Sequence, residues 1–187
     1  MTLIDTVLQF QKLSPDSLSR LEAIIFKQDL PKGSSLLRIG EIDRYFHFIV
    51  KGSGRVYYLK DDLDVTDYIA LDGQFLGGVE SLFTQQPSHK GIELTENSIL
   101  ESFLFHDFEK LCGEIHEVES VGRKLSTFAF LEAQRRIESI HFLSAAERYE
   151  ELCLKYPGIA NRIPLKHLAS YLGTTPVSLS RIRGGNQ

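Results

Sequence analysis

The chain has 187 residues, a formal net charge of −4, and 42% hydrophobic and 25% charged residues. These values suit a globular protein of one large or two small domains. No apolar run approaches the ~18 residues of a membrane span, which excludes a membrane-spanning helix and makes a membrane partner unexpected. Met1-Thr2-Leu3-Ile4-Asp5 has no basic segment followed by an apolar stretch, so no signal peptide is read and a cytoplasmic location is expected. The two cysteines, Cys112 and Cys153, are far apart and read as small hydrophobes. They cannot supply a four-cysteine iron–sulfur cluster.

Residues 3–28 read as helical. Leu3, Val7, Leu8 and Phe10 lead to a break at Ser14-Pro15, where Ser14 can cap and Pro15 suits a first helical turn; Leu18, Leu21, Ile24 and Ile25 follow at helical spacing. From Leu30 to about His106 the pattern changes to short runs rich in β-branched and aromatic residues. They are Ser35–Ile39, Tyr45–Val50, Arg55–Leu59, Thr66–Leu71, Gly91–Thr95 and Ser98–Phe105, separated by turn residues such as Lys51-Gly52-Ser53-Gly54 and Lys60-Asp61-Asp62. Many short strands at this spacing predict a sandwich or barrel, with a short helix inside it at Val79–Phe83.

The helical period returns at Asp107–Leu111 and then runs from about Glu114 to Leu143. Val118, Val121, Leu125, Phe128 and Leu131 lie three and four apart, an apolar stripe on a helix of roughly 30 residues, about 45 Å long. A second copy of the same helix is the simplest partner, giving a homodimer. The alternative is a helix packed along its own domain. A further helix over 145–157 ends at Pro157-Gly158.

The most informative segment is 165–183. Small Ala169, then Gly173 to end one helix, Thr175 as N-cap and Pro176 at the next first turn read as helix, turn, helix. Leu168, Leu172, Leu179 and Ile182 are spaced for a shared core. The second helix then exposes Pro176, Val177, Ser178, Ser180, Arg181 and Arg183, the small, hydroxylic and guanidinium groups that a major groove accepts. Arg181 is the candidate base contact, while Lys166, His167, Thr174 and Thr175 are candidate phosphate contacts. The net negative charge argues weakly against nucleic acid, but residues 161–187 contain no Asp or Glu. A locally basic end can meet phosphate because screening confines fields to ~8–10 Å.

Three stretches resemble the Crp/Fnr regulators, the family of the cyclic-AMP receptor protein. They are Pro31-Lys32-Gly33 with Arg38-Ile39-Gly40-Glu41 and Phe48-Ile49-Val50-Lys51-Gly52-Ser53-Gly54; Gly73-Gln74-Phe75-Leu76-Gly77-Gly78-Val79-Glu80-Ser81-Leu82-Phe83; and Phe128-Ala129-Phe130-Leu131-Glu132-Ala133-Gln134-Arg135-Arg136-Ile137 running into the helix-turn-helix. The resemblance implies an α+β protein in three parts: a cyclic-nucleotide-binding-like jelly roll over 1–106, a short helix plus a long dimerisation helix over 107–143, and a winged-helix-like DNA-binding domain over 144–187. It implies double-stranded DNA, a second copy and RNA polymerase as partners, and a small-molecule effector.

Two departures qualify it. In cyclic-AMP binders a Phe-x-Gly-Glu-Leu cassette precedes an Arg-Ser pair. Here the acid is displaced to Glu80 behind Gly77, Gly78 and Val79, and Ser88-His89-Lys90 stands where the arginine is expected; Val121-Gly122 replaces a Thr-Ser pair. Lys90 offers charge but no bidentate fork. The effector pocket, taken as Gly77, Gly78, Val79, Glu80, Ser81, Ser88, His89, Lys90, Val121 and Gly122, is therefore expected not to bind cyclic AMP. The sequence given also ends at Gly184-Gly185-Asn186-Gln187 without a β-hairpin, so a truncated head without an evident wing, stopped by the two glycines, is expected to bind DNA more weakly. Three other readings compete: a haem or gas sensor on the same scaffold, a sensing or interaction module that does not bind DNA, and a cupin-type metalloenzyme. The metalloenzyme lacks a motif, since His47, His89, His106, His116, His141 and His167 form no HxH or HxxxH pair. Neither catalytic nor metal-binding residues are expected, and no cofactor is assigned.

Overall fold

Thr2 accepts a hydrogen bond from the Asp5 amide while the Asp5 carboxylate accepts one from the Thr2 amide, and this reciprocal cap starts helix α1 (Leu3–Phe10). Ser14 caps α2 (Pro15–Ala23), with Pro15 in its first turn. The helical reading runs too far from here. Phe26–Leu30 is strand β1, antiparallel to the last strand of the barrel. Cross-strand pairing with a distant partner overrides the local period, and one sequence window cannot show it. The computed structural model describes residues 1–185; Asn186 and Gln187, at the expected chain stop, lie outside the described residues.

The barrel continues as β2 (Ser35–Leu37), β3 (Tyr45–Lys51), β4 (Gly54–Lys60), β5 (Leu63–Ala70), β6 (Phe75–Leu76), helix α3 (Val79–Thr84), β7 (Gly91–Leu94) and β8 (Ser98–Leu104). Two antiparallel four-stranded sheets, ordered β1-β8-β3-β6 and β2-β7-β4-β5, face each other as a jelly roll. The β4–β5 hairpin turns at Asp61 and Asp62, both at positive φ, a region short polar side chains tolerate. β6 has only two residues, too short to leave a periodic trace. Ile49, Val56, Ala70, Leu76, Ile92 and Leu100 fill the space between the sheets.

The helical half comprises α4 (Phe105–Glu114), α5 (His116–Phe142), α6 (Ala145–Lys155), α7 (Ile159–Arg162), α8 (Leu165–Tyr171) and α9 (Pro176–Gly185). Gly184 and Gly185, read as a stop, instead lie in the last turn of α9. Alternation along β3 places Phe46 and Phe48 on the outer face of the first sheet. There Phe48 and Phe103 form a second core with Leu3, Val7, Leu21, Leu111, Val118 and Val121. Val118 and Val121 are both 0% exposed. The first turns of α5 are thus consumed by the chain's own core, and these two members of the expected dimer stripe are unavailable to a partner helix.

A third core joins the two halves. Leu152, Ile159, Ile163, Leu168, Ala169, Leu172 and Leu179 pack together, and Ile69 and Leu71 from the end of β5 complete the cluster. Polar contacts tighten this junction: the Thr66 amide donates to Ser170 Oγ at 3.0 Å, and Gln74 donates to the Tyr156 hydroxyl at 2.7 Å. Arg162 reaches across to Asp72 (2.5 Å), Glu96 (2.8 Å) and the Gly52 carbonyl (2.9 Å). No helix among the described residues is long and apolar enough to cross a membrane.

Candidate nucleic-acid interface and effector cavity

The two-helix unit of α8 and α9 is built by capping and by one tight turn. α8 ends at Tyr171 with Leu172 as its C-cap, Gly173 takes φ +66°, and the Thr174 amide returns to the Ala169 carbonyl at 2.9 Å. Thr175 then accepts from the Ser178 amide at 3.1 Å, with Pro176 in the first turn of α9. Leu168 and Leu179, both 0% exposed, and Leu172 hold the two helices together, with half-buried Ile182 against them. Pro176, Val177, Ser178, Ser180 and Arg181 are exposed along α9, whereas Arg183 is half-buried. Before it, Lys166 and Thr175 are exposed and Thr174 is half-buried.

His167 is elsewhere. It is 6% exposed and lies at the face of α8 that packs on β5, beside a buried Arg55. Burial, then the charges of Arg55 and Lys166, push its imidazole down to about 4. Arg55 itself forks onto Asp64, donates to Glu93 at 2.8 Å and Thr66 at 3.0 Å, and stacks over Tyr57. The expected phosphate contact of His167 is therefore replaced by a place in the junction, because α8 turns this side chain inward.

Nine of the ten expected effector residues border one broad groove of about 1340 Å³ that runs along the barrel, α5 and α6: Gly77, Gly78, Val79, Glu80, Ser88, His89, Lys90, Val121 and Gly122, although Val121 is itself 0% exposed and packed in the core. Ser81 does not line it. Its hydroxyl accepts from the Asp43 amide and donates to the Gln86 carbonyl. The two glycines are required by contact: a Cβ on Gly77 would stand 3.0 Å from the Phe46 ring and one on Gly78 3.0 Å from Asp43 and Leu37. Asp43, 2% exposed, accepts the Gly78 amide at 2.6 Å and the Tyr45 amide at 3.1 Å. Burial raises its carboxyl pKa against the pull of these amides. Lys90 donates to Asp67 at 2.8 Å, and Arg136 approaches the same carboxylate at 3.7 Å while lying over the Tyr171 ring. Asp43 and Asp67 left no signal in the sequence, since each acts through a partner distant along the chain; Arg136 stood in the third resembling stretch but with no role at the pocket assigned.

The remaining stripe of α5 divides. Leu125 is half-buried, while Phe128 and Leu131 are 51% and 47% exposed; Phe128 meets Phe10 edge-on. A second set, Phe130, Ile137 and Ile140, is also exposed, and with Ala133 it repeats at three, four and three residues along another face. Both cysteines are free and half-buried. Among the described residues no cluster of metal-binding side chains occurs.

No family model matches the chain, and neither does any curated protein. Solved structures do match, and they define its class: the chain has the fold of the Crp/Fnr transcription regulators. FixK2 of Bradyrhizobium japonicum is 17% identical, with a TM-score of 0.74 over 87% of this chain and 84% of that one. The c-di-GMP-responsive global regulator CLP of Xanthomonas campestris is 15% identical, with a TM-score of 0.68 over 93% and 92%. A protein of Eubacterium rectale assigned as a transcriptional regulator of the Crp/Fnr family is 18% identical, with a TM-score of 0.68 over 91% and 82%. At these identities the likeness is one of fold.

Proposed function

We propose that this chain is a non-catalytic, cytoplasmic transcription regulator of the Crp/Fnr type that binds palindromic DNA as a homodimer. The observation that carries the reading is the capped, exposed α9, with Val177, Ser178, Ser180 and Arg181 outward on a segment free of acidic residues. Arg181 supplies a base contact, Lys166 and Thr175 neutral-to-basic phosphate contacts. The unpartnered Phe130–Ala133–Ile137–Ile140 face of α5, with its coiled-coil-like spacing, is the proposed pairing seam. It replaces the Val118–Val121 part of the expected stripe. Three parts are proposed, a sensor over 1–106, helices over 107–143 and the head over 144–187, with RNA polymerase as a further partner at promoters.

The cavity is the proposed effector site, and cyclic AMP is not its ligand. Ser88-His89-Lys90 stands where the arginine of the cyclic-phosphate cassette is expected, and Lys90 is already paired with Asp67. The test is selection of bound fragments from random or genomic DNA. A two-fold motif with half-sites about 34–36 Å apart is expected, and failure to enrich any such motif would refute DNA recognition. Calorimetric titration with cyclic AMP should show no saturable heat; micromolar binding would overturn the ligand statement.

A further inference from the structure

We propose that the groove takes a doubly charged phosphoryl group, as a phosphate monoester or the free ion, seated on Arg136 where β5, α5 and α8 meet. This deepens the effector reading of the groove, and as an effector class it rests on that reading. Arg136 lines the groove with its side chain 30% exposed. Its guanidinium lies over the Tyr171 ring at 4.7 Å and stays 3.7 Å from Asp67, too far for a hydrogen bond. Its Nε is buried and has no partner. A buried donor on a cation is costly to leave unmade. The fork of Nε with one Nη is the edge that an oxyanion takes bidentately. With only a ring and a long ion pair to hold it, the guanidinium can turn that edge toward the groove.

The surrounding charges favour an anion. Asp67 is one carboxylate between two cations, with Lys90 at 2.8 Å and Arg136 at 3.7 Å. One turn back on α5, Glu132 stands in the same way between Arg135 at 2.6 Å and Lys155. All six side chains border the groove, so two carboxylates answer four cations on a chain whose net charge is −4. Of the other acids at the groove, Glu80 faces His89 and Glu119 faces Arg123, while Glu109 and Glu151 are exposed to solvent. Tyr68 and Tyr171 border the same stretch, and burial raises the pKa of both phenols, which keeps them protonated as O–H donors. A dianion matches the excess of two charges, whereas a cyclic diester carries one. The seat on Arg136 and Tyr171 also lies outside the Ser88-His89-Lys90 stretch.

Calorimetric titration of the full chain with phenyl phosphate and with inorganic phosphate, at about pH 8 where a monoester is doubly charged, should show one saturable site for at least one of them. Tighter phenyl phosphate names a monoester as the source, and tighter inorganic phosphate names the free ion. Cyclic AMP should bind at least about tenfold more weakly than the better probe. Arg136→Gln should weaken that probe by about tenfold or more, and Arg136→Lys by nearly as much, since an ammonium has no fork. Asp67→Asn removes the competing carboxylate and should tighten binding by about threefold or more, a gain that misfolding does not produce. No saturable binding of either phosphate at millimolar concentration, cyclic AMP bound as tightly, unchanged affinity in Arg136→Gln or Arg136→Lys, or no gain in Asp67→Asn would overturn the assignment. Mobility shift with and without phosphate reads the regulator separately. Absence of any DNA complex sinks the DNA reading with the anion site standing, and phosphate binding that leaves DNA affinity unchanged sinks the effector reading alone.

Discussion

Arg181 and His167 show how differently two residues of one short motif can be used. Arg181 is exposed on α9, and Arg181→Ala should cost about 1–3 kcal/mol of specific DNA affinity and relax one base preference, read by binding to a set of single-base operator variants. Lys166→Ala should lower the slope of log affinity against log salt by roughly one, since it removes one phosphate contact. His167→Ala should leave that slope unchanged, because the imidazole is buried against the barrel. A changed slope in the His167 variant would place it on DNA after all. His47 is a third case. Ser102 donates to Gln28, so its oxygen accepts from His47 Nδ1, leaving Nε2 buried without a partner. Burial pushes this imidazole down to about 4. The folded chain therefore refuses a proton that the unfolded chain accepts as pH falls below the ordinary histidine value near 6.5. Stability is full above that value and declines by about 3 kcal/mol as pH falls to about 4. Denaturation midpoints across this window should show the slope, and His47→Gln should reduce it without abolishing it, because His167 is depressed in the same way and contributes over the same window.

Among the elements, α5 carries the sharpest test. Val118 and Val121 are sealed in their own core, while Phe130, Ile137 and Ile140 stand exposed at regular spacing. Ile137→Asp should dissociate the dimer while leaving the helical spectrum intact, measured by sedimentation and circular dichroism; Val118→Asp should unfold the chain instead. A dimer that survives Ile137→Asp would relocate the interface. The stripe was legible in the sequence, but its direction was not. Spacing of three and four fits more than one face of a long helix, and only the arrival of α1, α2 and α4 decides which face is covered. Caps and tight turns read well because their cause is local: Ser14-Pro15, Gly173 and Thr175-Pro176 all do what their chemistry suggests. β1 and β6 did not, because pairing partners far along the chain create them. The same applies to the cavity. Its glycines and Lys90 could be found from a motif, whereas Asp43, which holds the Gly78 amide, and Asp67, which binds Lys90, come from other strands and loops.

At the scale of the molecule, the junction between barrel and head is both apolar and ionic. Arg162, held by Glu96 and Asp72, has its pKa raised by those hydrogen bonds. Arg162→Ala should lower stability by about 1–2 kcal/mol, between the worth of an exposed and a buried pair, and should increase protease cutting near Pro157 in limited digestion. Unchanged cutting would mean that the apolar contacts alone fix the head.

Ile69 and Leu71 belong to the barrel by chain position but to the head by packing. A gene fragment starting after the long helix would consequently yield a polypeptide with a greasy hollow in its side, prone to clump rather than to bind. For the same reason, sensors cannot be exchanged freely between such proteins by simple recombination at the helix: the incoming barrel must bring two fitting aliphatic side chains, or the graft arrives with its socket empty.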